Sequence, residues 1–366
     1  MRLRSIIAGL FGLGLSCLAI PASATLLFSG GEDVDFICNP SGICFMANFN
    51  QSNRPAWSRG AYAVNATTTD PPSNRFATPS FTASATLWIH AQFCEGFSNN
   101  CSTTSVLNDQ MLRVLDTLGN ATLIIRGNGT SGQVKISSRT ASGQFSELIS
   151  ACSPVLSASL VQLDFFINYG NPGEVALYVN GVQVCDVSGI NVTNGDGATT
   201  LNQVEFASPS SQSNWSEVIV ATTDTRAMSR FTANTKGDGT NVGFTGTNIC
   251  SSIWNTLSAN DANYGYTGTS NVVHECTINN SIPPGIYSVQ GLGMSARALV
   301  GATGPQHFDF VTRVGGTDYL SPNYSPTTSF SNFTNYIQTT NPATLAPWSV
   351  PDFQDPSFNV GEKSKP

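Results

Sequence analysis

Trp88, His90 and Gln92 occupy every second position of the stretch LWIHAQF, with Leu87, Ile89, Ala91 and Phe93 filling the positions around them. Side chains alternate between faces in an extended chain, so an indole, an imidazole and an amide stand in one row while the apolar residues line the other side. A ring can stack on a pyranose, an amide reads hydroxyls and an imidazole exchanges protons. The row is therefore a candidate ligand-facing strip, and Arg126 in LIIRGNG, at a strand end, is placed to flank it. Acids are scarcer. Glu32, Asp33 and Asp35 in GEDVDF come nearest to a carboxylate cluster, and Asp33 and Asp35 are candidate calcium ligands, because hard dications take carboxylate oxygens. No cofactor is required by any motif, and calcium is the one ion these acids suggest. A retaining glycosidase needs two carboxyls about 5 Å apart, and no strand carries such a pair. GxSxG and a phosphate loop are absent, and His274-Glu275 reads as decoration of a strand beside Cys276.

The elements that must position the strip are strands. In EVALYVNGVQVCDV, Val175, Leu177 and Val179 alternate with Ala176 and Tyr178, and Asn180-Gly181 supplies the two positive-φ positions of a type I′ hairpin turn. A two-residue loop sets Val179 opposite Val182 and Leu177 opposite Val184, which puts the aliphatics on one face and Tyr178, Gln183 and Cys185 on the other. LDFFINY upstream repeats the pattern, with Leu163, Phe165 and Ile167 against Asp164 and Asn168, so three adjacent antiparallel strands are expected. Similar strand-and-turn units follow one another from TLLFSG to SEVIVATTD, which reads as a sandwich. Residues 231–247 are glycine-rich and read as a connection, with a short helix placed at Ser229 to Thr235. A second strand series then runs through VVHECTI, HFDFVTRV and FSNFTNYIQTT into a proline-rich tail from Pro342.

The chain opens MRLR, continues with an apolar run from Ile6 to Ile20, and reaches Ala22-Ser23-Ala24, the features of a secretory signal cleaved after Ala24. The expected organisation is residues 1–24 as signal, 25–228 as a first β-sandwich and 229–366 as a second, smaller one with the tail. Removing Arg2 and Arg4 leaves 14 basic against 23 acidic side chains, a net charge of −9, which excludes nucleic acid as partner. No later segment is long enough to span a membrane. Eight cysteines remain after cleavage, an even number suited to disulfides outside the cytosol, and spacing favours the local pairs Cys38–Cys44, Cys94–Cys101, Cys152–Cys185 and Cys250–Cys276.

The VALYVNGVQVC hairpin near the end of the first series, followed by the closing strand NWSEVIVATTDTR, resembles laminin-G-like, concanavalin A-like jelly rolls over about residues 25 to 228. The layout, with TNPATLAPWSVPDF near the end, is also similar to two-domain surface proteins of phage and prophage virions. The resemblance implies an all-β fold, a concanavalin A-like antiparallel sandwich followed by a smaller sandwich. It further implies a secreted or surface-exposed, non-enzymatic binding or adhesion protein that recognises a glycan or a surface protein. The alternatives are a structural protein of a virion or extracellular filament, and a carbohydrate-active enzyme, either glycosidase or polysaccharide lyase. A lyase of this fold needs Arg, His, Gln and Tyr converging on a uronic acid, and the arginine-rich strand and the lysine- and tyrosine-bearing strand of alginate-lyase-like enzymes are missing. The expectation is accordingly of no enzyme activity.

Overall fold

The computed structural model describes residues 25–31, 35–39, 60–64, 75–95, 110–127, 133–139, 145–147, 156, 160–207, 212–231, 233, 235–253, 261–279 and 288–366. The first strands are β1 (Leu26–Gly30), β2 (Ile37–Asn39), β3 (Gly60–Val64), β4 (Arg75–Ala77), β5 (Thr86–Glu95), β6 (Gln110–Asp116) and β7 (Ala121–Gly127). They are followed by β8 (Val134–Arg139), β9 (Phe145–Glu147), β10 (Val161–Asn168), β11 (Gly173–Val179), β12 (Val182–Ile190), β13 (Leu201–Phe206) and β14 (Gln212–Ala221). They form two antiparallel sheets. One runs β1-β14-β5-β10-β11-β12, with β3 also on β14, and the other runs β2-β4-β13-β6-β7-β8-β9. This is the sandwich the alternation predicts, and its filling comes from both inner faces: Leu87, Ile89, Ala91, Phe93, Leu163, Phe165 and Ile167 from one sheet, Leu112, Val114, Leu123, Ile125, Val204 and Phe206 from the other. Phe36, Phe76 and Phe206 stack edge and face at centroid distances of 4.7–6.1 Å, and Trp215 closes the layer against Phe93 and Phe206. Such rings contribute both area and specific geometry.

The Asn180-Gly181 turn is present, with φ of 51° and 77°, and Val179 does face Val182. The rest of the expected register is corrected. A bulge between Leu177 and Tyr178 sets Leu177 opposite Cys185, and Cys185 joins the core while Val184 packs at its margin. One extra residue switches every later side chain to the other face. At the opposite end of β11, Gly173 sits where a Cβ would meet Val192 Cγ2 at 2.5 Å and the Asn168 and Gly170 carbonyl oxygens at 2.7 and 2.8 Å. Gly173→Ala is therefore expected to destabilise by about 1–2 kcal/mol, read as a lower urea midpoint with an unchanged slope; a neutral result would show that the turn relaxes.

The second strand series forms β15 (Thr235–Val242), β16 (Val273–Ile278), β17 (Leu292–Ala298), β18 (His307–Val314), β19 (Thr317–Leu320), β20 (Ser331–Gln338) and, after helix α1 (Val350–Gln354), β21 (Asn359–Lys365). A five-stranded sheet in the order β15-β16-β21-β18-β19 faces a two-stranded one, β17-β20, and Phe308 and Phe310 on the first meet Phe333 and Tyr336 on the second. Three expectations change. The glycine-rich stretch includes the edge strand β15 rather than forming only a connection: Gly239 lets its backbone lie where a Cβ would come within 3.0 Å of Glu275 and Asn359. The described residues from Ser229 to Thr235 carry no helix. The proline-rich tail is no appendage, because Trp348, Phe353 and Phe358 bury together and deliver β21 to the middle of the sheet.

β1 lies along β17 and β20, the Asn332 amide donates to the Phe36 carbonyl oxygen, and Arg230 pairs with Asp35 at 2.9 Å. Cys250 and Cys276 form a disulfide with Cα atoms 5.4 Å apart. Cys94 and Cys185 are each disulfide-bonded, while Cys44, Cys101, Cys152 and the Cys38 side chain fall outside the described residues. No helix among the described residues is long and apolar enough to cross a membrane.

Candidate functional site

The outer face of the first sheet is built where β5 lies between β14 and β10. Because Ile89, Ala91 and Phe93 are drawn into the core, Trp88, His90 and Gln92 share the outer side as the sequence predicts. The register places Trp88 opposite Phe166, His90 opposite Asp164 and Gln92 opposite Gln162, and continues from Asp164 to Tyr178 on β11. Neighbouring strands are about 4.8 Å apart, so His90, Asp164 and Tyr178 lie in one row about 10 Å long.

His90 is 1% exposed and Asp164 is fully buried. His90 Nδ1 lies 2.8 Å from Asp164 Oδ1, which also accepts the Thr225 hydroxyl at 2.9 Å, while Oδ2 accepts the Gln162 amide at 2.7 Å. A carboxylate only accepts, so Nδ1 donates a proton to it, and in the neutral imidazole Nε2 then presents a lone pair. Nε2 has no hydrogen-bond partner, and neither does Gln92 Oε1 beside it. Opposite these two residues β14 carries a bulge: Ser216 faces Gln92, Ile219 faces His90, and the strand spends one extra residue between them. Trp215 and Val218 on either side fill the core. Glu217 adopts a φ of +50°, is 2% exposed, and leaves Oε1 without a partner. A left-handed backbone at a glutamate is uncommon and is held by its surroundings. Three unpaired polar atoms, on an imidazole, an amide and a carboxylate, are thus gathered on one buried stretch of sheet.

The chain leaving β14 folds over this face as a strap, residues 222–230. Thr225 is tied to Asp164, Gln162 donates to the Arg226 carbonyl oxygen at 3.0 Å, and the Arg226 guanidinium lies 4.5 Å from the Tyr178 ring centroid and 5.5 Å from that of Trp88. Trp88 also contacts Phe166 and Tyr178, with centroids 4.9 and 5.7 Å away. Asp224 engages Arg226 through its side chain, which lowers the carboxyl's pKa and raises that of the guanidinium. Both groups of this pair are well exposed, so Arg226→Ala is expected to cost less than about 1 kcal/mol. It should nevertheless speed amide hydrogen exchange across residues 222–230; unchanged exchange would show that Thr225 and Gln162 hold the strap alone.

Arg126 is not part of this assembly. Ile125 faces the core, so Arg126 projects from the outer face of the other sheet, opposite Gln110 on β6 and Lys135 on β8. There Arg75 and Arg113 flank Glu205 at 2.8 and 2.9 Å, a second polar face on the far side of the sandwich. Asp33 lies outside the described residues. Asp35 accepts the Gly31 N–H and Arg230 on one carboxylate oxygen, and an arginine there is the wrong neighbour for a dication. Cys250, His274 and Cys276 bring their ligand atoms within 4.8 Å of one another, but the disulfide removes the thiolates a metal would need.

Asp164, Tyr178, Glu217, Thr225 and Arg226 are the site residues that sequence reasoning missed. The sequence carries a signal for two of them, since alternation puts Asp164 and Tyr178 on the polar faces of their strands, but nothing in it pairs β5 with β10.

No protein-family model and no curated protein matches the chain. Among solved structures, an endo-β-1,4-glucuronan lyase from Trichoderma reesei aligns at 9% identity and a TM-score of 0.40, covering 55% of this chain and 96% of its own. An alginate lyase in complex with an alginate tetrasaccharide aligns at 11% and 0.34, covering 54% and 96%. An alginate lyase from Alteromonas sp. 272 aligns at 10% and 0.29, covering 44% and 86%. At these identities and scores the likeness concerns the sandwich and names no substrate for this chain. The expectation of a non-enzymatic adhesion protein without enzyme activity is corrected to this extent: the three structures named are polysaccharide lyases, so a sandwich of this kind also serves enzymes.

Proposed function

We propose that the protein is a carbohydrate-active enzyme that cleaves a uronate-containing polysaccharide by β-elimination on the outer face of its first sheet. The observation that carries this reading is that His90, oriented by Asp164 at 2.8 Å, shares the outer face of the sheet with Gln92, with Tyr178 two strands away and with Arg226 of the strap, one of each residue type the chemistry needs. His90 Nε2 takes the proton α to the uronate carboxyl, and Asp164 stabilises the imidazolium that forms. The Gln92 amide and the Arg226 guanidinium neutralise the charge that accumulates on the carboxylate oxygens as the C–H bond breaks. The phenol of Tyr178 donates its proton to the departing glycosidic oxygen, and the new double bond forms as that C–O bond breaks. Trp88 and Phe166 provide ring faces for a pyranose.

Hydrolysis suits the face less well. Asp164 is committed to three hydrogen bonds, which leaves Glu217 as the single uncommitted carboxyl where a glycosidase needs two. Substrate reaches His90 when the strap lifts, a gating step rather than part of the chemistry. The basic, apolar leader before Thr25 belongs to the same proposal, as the export signal that takes the enzyme to its polymer.

The test is incubation of the chain with alginate, glucuronan, polygalacturonate and hyaluronan, following the ultraviolet absorbance of unsaturated uronate ends. Unsaturated product from one polymer is expected. Reducing ends without unsaturation would make the protein a hydrolase, and no product from any would sink the reading.

A further inference from the structure

At the far end of the five-stranded sheet, β18, β21 and the segment after β19 border a shallow, open cleft of about 590 Å³ lined by His307, Asp309, Ser321, Asn323, Lys365 and Pro366. Its origin is the alternation along β18: Phe308 and Phe310 turn to the aromatic filling, so His307 and Asp309 face the other way, beside Lys365, which pairs with His307 across the strands. Asp309 is 3% exposed. Its Oδ2 is held by Lys365 Nζ at 3.1 Å, while its Oδ1 is buried without a hydrogen-bond partner. Ser321 is satisfied, receiving the Phe310 N–H and donating to the Pro322 carbonyl oxygen. His307 Nδ1 engages Ser325 Oγ at 2.9 Å, and the Asn323 side chain stands exposed at the rim.

We propose that this cleft binds a neutral sugar through adjacent hydroxyl groups, donated to Asp309 Oδ1 and read by Asn323 and the remaining nitrogen of His307. A buried acceptor without a donor is unfavourable, and a ligand hydroxyl relieves that cost. The lining selects the ligand by elimination. A cation is opposed by the Lys365 ammonium in the same cleft, an anion by the Asp309 carboxylate, and an apolar molecule by the polar walls. A neutral group that both donates and accepts fits all of them, and the volume suits a short saccharide. The site is independent of His90 and of the elimination proposed there.

The experiment is ligand-observed NMR of the full chain with fluorine-tagged neutral gluco-, galacto-, manno- and xylo-oligosaccharides, and with an oligouronate as comparison. Binding of at least one neutral probe is expected, weakened tenfold or more in Asp309→Asn and threefold or more in Asn323→Ala, and unchanged in His90→Asn. Asn323 is exposed, so its variant remains informative even where Asp309→Asn fails to fold. The proposal is overturned when no neutral probe binds, when Asn323→Ala and a folded Asp309→Asn bind as the parent does, or when the oligouronate alone binds and loses affinity in Asp309→Asn.

Discussion

Replacing His90 with asparagine is expected to lower the rate of unsaturated-uronate formation by two to four orders of magnitude, the usual contribution of a positioned general base. Asparagine is the sharper variant because Asp164 keeps its bonds to Thr225 and Gln162 and a small amide fills the place of the ring. Loss of rate with an unchanged melting curve would assign His90 to the chemistry, whereas equal loss of rate and stability would make it a structural ligand of the strap. Asp164→Asn extends the argument. An amide can donate to Nδ1 and turn the imidazole to the tautomer whose Nε2 carries the proton, so the base is lost while the ring remains. The two substitutions act on one unit, and the double variant is expected to be little worse than His90→Asn alone. Retention of activity in His90→Asn would remove this face from the mechanism.

The second large effect lies in the other sandwich and is a dependence on pH. Burial pushes the Glu362 carboxyl up to about 7, against an ordinary value near 4.5. The folded chain thus holds a proton that the unfolded chain releases above its own lower pKa. Stability is unaffected below pH 4, declines as pH rises from about 4.5 to 7, and stays lower beyond. Across that window the decline amounts to about 2–3 kcal/mol after allowance for the partly exposed side chain. Glu362→Gln keeps the shape and removes the ionisation, so it should stabilise the protein by that amount at pH 8 and by nothing at pH 4, as read from urea midpoints. His274, opposite Glu362 on β16, has its pKa lowered by burial and acts in the contrary sense: its destabilisation appears as pH falls below about 6.5. The glutamine variant should therefore show a plain rise in stability between pH 5 and 7, where in the parent the two groups oppose each other. A variant that tracks its parent at every pH would mean that Glu362 is solvated in the folded chain.

Local pattern determined much of this protein. Period-two alternation in LWIHAQF and LDFFINY decided which side chains go to the core and which to the outer face, and Asn180-Gly181 decided where β11 turns into β12, because both depend on chemistry within a few residues. The tertiary structure decided what stands next to what. Asp164 is 74 residues from His90 and reaches it through the pairing of β10 with β5. Arg226 arrives from beyond β14 and Arg126 is carried to the opposite sheet, since pairing between distant strands is set by the sum of core contacts rather than by any short motif. The same cause hid two bulges, at Val184 and Glu217, and made a central strand of the apparent tail. Each is a local irregularity or a low-propensity segment that only long-range packing makes worthwhile.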